Sequence, residues 1–308
     1  MKILLFGKHG QLGWELQRSL APLGELVALG RQAETHPLFP GTPLHGNFLQ
    51  LDALAETVRR VRPDLIVNAV AYTAVDQAES DIETASIVNA EAVAVLAQQA
   101  ARLGAALVHY STDYVFDGRG ECPWRESDVP APLNVYGHTK LAGELAVQQH
   151  CPRHLIFRTS WVYGVRGNNF AKTILRLGQE HPALNVIADQ IGAPTGAELI
   201  ADVTAHAIRH LQREPACAGL YHLAAGGATS WHGYASHVLQ AARARGLAIS
   251  AQPASVLPAS AASYPAKAVR PANSRLDTTR LRQTFGIHLP DWRIGLDRML
   301  SEILTHPA

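Results

Sequence analysis

The chain has 308 residues, 47% of them hydrophobic and 17% charged, with 27 basic against 26 acidic side chains and a formal net charge of +1. With acids and bases mixed along its length it carries no basic stripe for nucleic acid, and small-molecule chemistry on a soluble globular fold is favoured instead. No stretch reaches the about 18 apolar residues of a membrane span, and the apolar run at residues 3–6 stops at Gly7-Lys8-His9, short of a signal core, so a cytoplasmic protein is expected.

Cys122, Cys151 and Cys217 are far apart and odd in number, which reads as free thiols. Among the 15 histidines only His206 and His210 stand at helical spacing on an expected helix, and a solvated face is the simplest account of them.

In chain order, the apolar residues 2–6 predict a strand, Gly7 to Gly13 a glycine turn, and residues 14–20 a helix with apolar positions at helical spacing. Residues 26–29 predict a second strand, 54–62 a helix stopped by Pro63, and 65–67 a third strand. An alanine-rich helix over 82–103 is closed by Gly104. The buried strand 106–110 then delivers Ser111 and Thr112 at its carboxyl end, and 155–157 is another strand of the same kind. Strands alternating with helices imply an α/β, Rossmann-type doubly wound parallel sheet, whose ligands lie beyond the strands' carboxyl ends. Residues 1–160 are expected to form that domain, with segments near 165–180 and 200–225 returning to it. Residues 161–308 are expected to form mainly a smaller lobe. The Pro/Ala/Ser-rich stretch 253–272 reads as an ordered loop of that lobe, and 292–304 as an amphipathic helix.

Gly7, Gly10 and Gly13 lie between a strand and a helix, where missing side chains let backbone amides approach a pyrophosphate. A tight structural turn would look the same, so the later motifs must decide. Past the second strand, where an acid usually meets the adenosine ribose, stand Gly30 and Arg31. A guanidinium suits a 2′-phosphate, so NADPH is expected to be preferred, with NADH tolerated.

Tyr136 and Lys140 are four residues apart and share one helix face. An ammonium about 4 Å from the phenol, at an effective dielectric of ~20, would favour the phenolate by roughly 4 kcal/mol and bring Tyr136 near neutral pH. Thr112, at a neighbouring strand end, can donate to the same substrate oxygen, so the expected catalytic set is Thr112, Tyr136 and Lys140, with Lys140 also holding the nicotinamide ribose. A Tyr-x-x-x-Lys pair alone is weak, being common on solvated helices; the glycine turn and the strand-end Ser-Thr strengthen it.

The chain resembles the dTDP-4-dehydrorhamnose reductases, extended short-chain dehydrogenases, nearly end to end. The likeness rests on residues 6–16, on 111–116, on Asn134-Val135-Tyr136-Gly137 with Thr139-Lys140, and on 158–163. It continues through Gly167-Asn168-Asn169-Phe170, residues 189–195 and 270–276. It implies hydride transfer to C4 of a dTDP-4-dehydro sugar with Tyr136 as proton donor, and a smaller lobe that binds the sugar nucleotide. It further implies that Gly10, Gln11 and Leu12 line the pyrophosphate, that Asn47 and Phe48 meet the adenine, and that Ala71, Tyr72 and Thr73 flank the cofactor. Val75, Thr112, Asp113, Tyr114 and Trp161 would contact the sugar nucleotide, although Trp161 also suits core packing. Some members are homodimers bridged by magnesium, and Glu15, Glu198 and Glu302 stand at the matching positions; solvated glutamates would read identically. The rival readings are a nucleotide-sugar epimerase or dehydratase of the same fold and a non-catalytic NADP-binding subunit.

Overall fold

The computed structural model describes residues 1–264 and 266–305. Strands β1 (Lys2–Phe6), β2 (Glu25–Leu29), β5 (Leu65–Asn68), β6 (Ala106–Thr112), β7 (His154–Thr159) and β8 (Gly219–His222) form one sheet in the order β8-β7-β6-β5-β1-β2. Every neighbouring pair is parallel. Chain order reverses between β1 and β5, which opens a crevice at their carboxyl ends. Between β2 and β5 a hairpin intervenes that the sequence did not announce, β3 (Glu34–His36) with β4 (Phe39–Leu44). Its Pro40 and Pro43 are tolerated because the two strands pair only with each other.

Strand alternation sends side chains to both faces. Ile3, Leu5, Leu65, Val67 and Val108 meet α1 (Gln11–Leu20) and α7 (Ala197–Arg213) on one side. Leu4, Phe6, Ile66, Leu107 and Ile156 meet α2 (Leu51–Val61), α4 (Ala92–Leu103) and α5 (Val135–His150) on the other. Full burial of each such side chain contributes about 1.5–3 kcal/mol, which is why these short apolar runs set the fold. The alanine-rich helix is interrupted: α3 (Ile82–Ser86) passes through a π turn (Ile87–Glu91) into α4, which ends at Gly104 in the left-handed region.

A second core gathers Ile174, Tyr234, Val238, Leu239, Trp292 and Leu296 from α6 (Phe170–Glu180), α8 (Trp231–Ala244) and α10 (Trp292–Thr305). Residues 165–180 were expected back on the sheet. Instead the apolar face of α6 packs on α8 in this second core, whereas α7 and β8 lie with the sheet. Within the Pro/Ala-rich stretch Val256–Ala259 pairs in parallel with Leu184–Ile187.

His206 is exposed and His210 half-buried on their helix; the His206 ring contacts the Phe285 carbonyl oxygen at 2.9 Å, and His210 packs edge-on to the Phe285 ring, on α9 (Thr279–Phe285). The three cysteines are free. Among the described residues no helix is long and apolar enough to cross a membrane.

Candidate active site

The glycine turn is built by close backbone approach. Gly7 sits at φ +91°, and its amide and that of Lys8 both donate to the Leu29 carbonyl, at 3.0 and 3.2 Å. A Cβ on Gly13 would stand 2.0 Å from the Gly7 oxygen, so only glycine lets α1 begin this close to β1. Helix α1 starts at Gly10 with no side-chain cap, which leaves its first-turn amides without a capping side chain at the crevice. This donor set fits an anionic pyrophosphate. Gln11 is fixed above it by Asn169, whose side-chain amide donates to Gln11 Oε1 at 3.1 Å.

Ala71, Tyr72 and Thr73 follow β5 across the crevice. Asn89, in the π turn, ties this loop to the catalytic helix: its Oδ1 accepts from the Tyr72 amide at 2.8 Å, and its Nδ2 donates to Thr139 Oγ1 at 3.1 Å. The sequence reading missed Asn89, because a one-residue helix widening leaves no mark in an alanine-rich run. Asn47 follows β4, and the Phe48 side chain is buried edge-on to Phe6, 5.6 Å between centroids, so any adenine contact by residue 48 falls to its backbone.

Arg31 is exposed past β2. An acid does reach this strand end from elsewhere: the hairpin brings back Glu34, whose Oε1 accepts from the Gly30 amide at 2.8 Å and whose Oε2 pairs with Lys8.

Thr112 closes β6, its Oγ1 accepting from the Tyr114 amide at 3.1 Å. Asn134 caps α5 by accepting from the Gly137 amide at 2.8 Å, and a Cβ on Gly137 would lie 2.3 Å from the Tyr114 carbonyl oxygen. The first turn of α5 is thereby pressed against the end of β6, and the Tyr136 ring meets the Tyr114 ring edge-on at 5.6 Å. The Tyr136 phenol lies within hydrogen-bond reach of the Thr112 hydroxyl. Lys140 is different: it is buried, and its Nζ donates to the Tyr110 carbonyl at 2.6 Å, with His109 Nε2 3.4 Å away.

The expected lowering of the phenol's pKa is therefore corrected. Burial pushes Tyr136 up to about 12, with the Asp113 charge adding to the rise and the Thr112 hydroxyl offsetting part of it. Burial also brings Lys140 down to about 8, partly opposed by Glu144, and raises Asp113 to about 7 against hydrogen bonds from Ser274 and Thr112. His109 is held well below its usual range by burial and by the Lys140 charge.

Over this floor, Arg270 pairs with Asp76 (Nη2 to Oδ2, 2.6 Å) beside Tyr114, closing the loop that precedes it onto the short helix Val75–Ala78. Trp161 occupies the left-handed region at φ +49° and stacks on Trp231 at 3.6 Å. Strain of that kind gathers at functional sites.

Glu15, Glu198 and Glu302 line a different cleft, together with Arg298. Arg298 reaches Glu198 at 2.7 Å and Glu302 at 3.4 Å, and Glu15 has Arg18 at 3.5 Å. Among the described residues no group of three or more His, Cys, Asp or Glu side chains is arranged to hold a metal ion. Within one chain these carboxylates do not fit a cation.

The family described as RmlD substrate binding domain matches residues 1–305. The chain is 56% identical to the dTDP-4-dehydrorhamnose reductase of Shigella flexneri and 55% identical to that of Escherichia coli K12, each over 308 residues and the whole of both chains. It superposes on the crystal structure of a dTDP-4-dehydrorhamnose reductase from Clostridium acetobutylicum with a TM-score of 0.85 at 32% identity, covering 98% of this chain and 99% of that one. The corresponding values for the Bacillus anthracis reductase, solved in complex with NADP, are 0.84 and 33%, with the same coverage. On a family match that spans nearly every residue and an identity above one half over full length, the chain belongs to the dTDP-4-dehydrorhamnose reductase family.

Proposed function

We propose that the chain reduces the C4 ketone of dTDP-4-dehydro-L-rhamnose to dTDP-L-rhamnose in the cytoplasm, consuming a reduced nicotinamide dinucleotide. The observation that carries this reading is the meeting of Thr112 and Tyr136 at the carboxyl end of β6, beside the crevice floored by the glycine turn. The dinucleotide supplies the hydride when bound.

The remaining chemistry belongs to side chains of this chain. Tyr136 stays a neutral phenol at pH 7 and hands its proton to the C4 oxygen; Thr112 donates to the same oxygen and orients it. Lys140, charged at pH 7, offers its remaining N–H donors to ribose hydroxyls. Gly7, Gly10, Gln11, Leu12 and Gly13 hold the pyrophosphate, with Asn47, Phe48, Ala71, Tyr72, Thr73 and Arg31 along the cofactor. Val75, Asp113, Tyr114 and Trp161 face the nucleotide sugar, with NADPH the preferred donor and NADH accepted. The test is net oxidation of NADPH by dTDP-4-dehydro-L-rhamnose with Tyr136→Phe beside it. Loss of about 10²–10⁴ in kcat is expected, and near-normal turnover of the variant would overturn the assignment. An epimerase would show no net consumption.

A homodimer bridged by magnesium through Glu15, Glu198 and Glu302 is the further expectation of the family. Each carboxylate already has a guanidinium, so such a bridge requires Arg298 to swing aside. Sizing the protein with and without a chelator decides it: a dimer unchanged by chelation removes the metal.

A further inference from the structure

Four groups converge where β2 ends. A Cβ on Gly30 would lie 2.8 Å from the His9 ring, so His9 occupies the space that a side chain at position 30 would need. Position 30 itself carries no acid. A carboxylate arrives from elsewhere: hairpin β3–β4 returns Glu34, whose Oε1 takes the Gly30 amide at 2.8 Å while Oε2 pairs with Lys8 of the glycine turn. Lys8 is held in turn through its backbone, whose carbonyl accepts from Gln17 Nε2 at 2.9 Å. Burial alone would raise the Glu34 carboxyl, but the hydrogen bonds from Lys8 and Gly30 and the nearby Lys8 and His9 outweigh it, and Glu34 is an anion at neutral pH.

An anion seated on a backbone amide and an ammonium, just past the second strand, answers two ligands in opposite ways. A ribose bearing a free 2′-hydroxyl gains an acceptor from it. A ribose bearing a 2′-phosphate meets a like charge, and the phosphate needs the same amide and the same ammonium that Glu34 already holds. We propose that Glu34 is the cofactor-selecting residue of this chain, and that Lys8 is its exchangeable counter-ion: paired with Glu34 it favours NADH, and released from Glu34 it serves the 2′-phosphate of NADPH beside Arg31. The inference rests on the cofactor reading above and refines it, because it makes the preference for NADPH a contest between Glu34 and the phosphate rather than a property of Arg31 alone.

The test measures dissociation constants of NADPH and NADH by titration calorimetry, without substrate, for the wild-type chain, Glu34→Gln and Lys8→Met. Glu34→Gln keeps the size of the side chain and an acceptor for Gly30; it should tighten NADPH about tenfold and weaken NADH severalfold. Lys8→Met should weaken NADPH about tenfold or more while moving NADH far less. Glu34→Ser, which removes the carboxylate without filling its place, must move the NADPH to NADH ratio in the same direction as Glu34→Gln. Equal changes for both dinucleotides, or none, in the Glu34 variants would overturn the proposal. A wild-type chain that binds neither dinucleotide would instead overturn the cofactor reading on which it stands.

Discussion

The Lys140 ammonium donates to the carbonyl oxygen of Tyr110 at 2.6 Å, a partner on β6, although it shares a helix face with the phenol of Tyr136 one turn earlier. Burial has moved the two groups apart in pKa and inverted their usual order, to about 8 for Lys140 and about 12 for Tyr136. As pH rises, Lys140 loses its proton first. The basic limb of kcat/KM is therefore expected near pH 8 and should report Lys140. A wild-type limb displaced from pH 8 by more than about one unit would assign it to another group.

The same burial makes Lys140 a stability liability. Its folded pKa lies below its unfolded value, so between about pH 8 and 10.5 the unfolded chain binds more protons and stability rises with pH; below pH 8 the cost is carried in full. Lys140→Met removes that cost and also the hydrogen bond to Tyr110, and should stabilise the protein by about 1–3 kcal/mol at pH 7 while abolishing activity. Urea unfolding checks the sign, and the advantage should shrink by pH 10.5. A variant less stable than wild type at pH 7 would show that the ammonium contributes net stability.

One turn further along α5, Glu144 is joined to Arg158 of β7 by two hydrogen bonds, Nε to Oε1 at 2.9 Å and Nη2 to Oε2 at 2.6 Å, with both side chains under 5% exposed. This pair clamps the catalytic helix to the sheet. Removing one partner leaves the other charged and buried, and Glu144→Gln or Arg158→Met should cost about 3–5 kcal/mol by denaturant unfolding. Glu144 also raises Lys140, so Glu144→Gln should move the basic limb below pH 8. A limb that stays in place would show that Glu144 acts only as a clamp.

What the sequence discloses about this site is whatever depends on short spacing. The glycines of the first turn, the strand that ends in Thr112 and the Tyr136–Lys140 step each span only a few residues, and periodicity puts them on the turn, strand and helix where they lie. What it conceals depends on long closure or on three-dimensional neighbours. Glu34 stands only four residues past Gly30, yet a hairpin containing three prolines and a glycine reads as loop, and nothing local says that it folds back. Lys140 lies on the predicted face of α5, but its partner is a backbone carbonyl, which no side-chain pattern encodes. Residues 170–180 have the periodicity of any amphipathic helix, and which core receives them is decided by Tyr234 and Val238, some sixty residues later.

Trp161 offers a last test, because three features fix its ring: a left-handed backbone, the stack on Trp231 and contact with Gly192, where a Cβ would lie 2.6 Å from the indole. Trp231 is itself anchored, its indole N–H donating to Gln190 Oε1 at 3.1 Å, so the Trp161 ring cannot retreat in that direction. Gly192→Ala must then push the ring toward the crevice or distort the short strand Ile191–Gly192. The overpacking should cost about 1–3 kcal/mol. If Trp161 faces the nucleotide sugar, the substrate KM should rise while the dissociation constant of NADPH stays unchanged, since the glycine turn lies outside this contact. The measurement pairs initial rates over substrate concentration with a cofactor titration. A variant that loses stability but keeps its KM would place Trp161 in the packing of the lobe and remove it from the substrate surface.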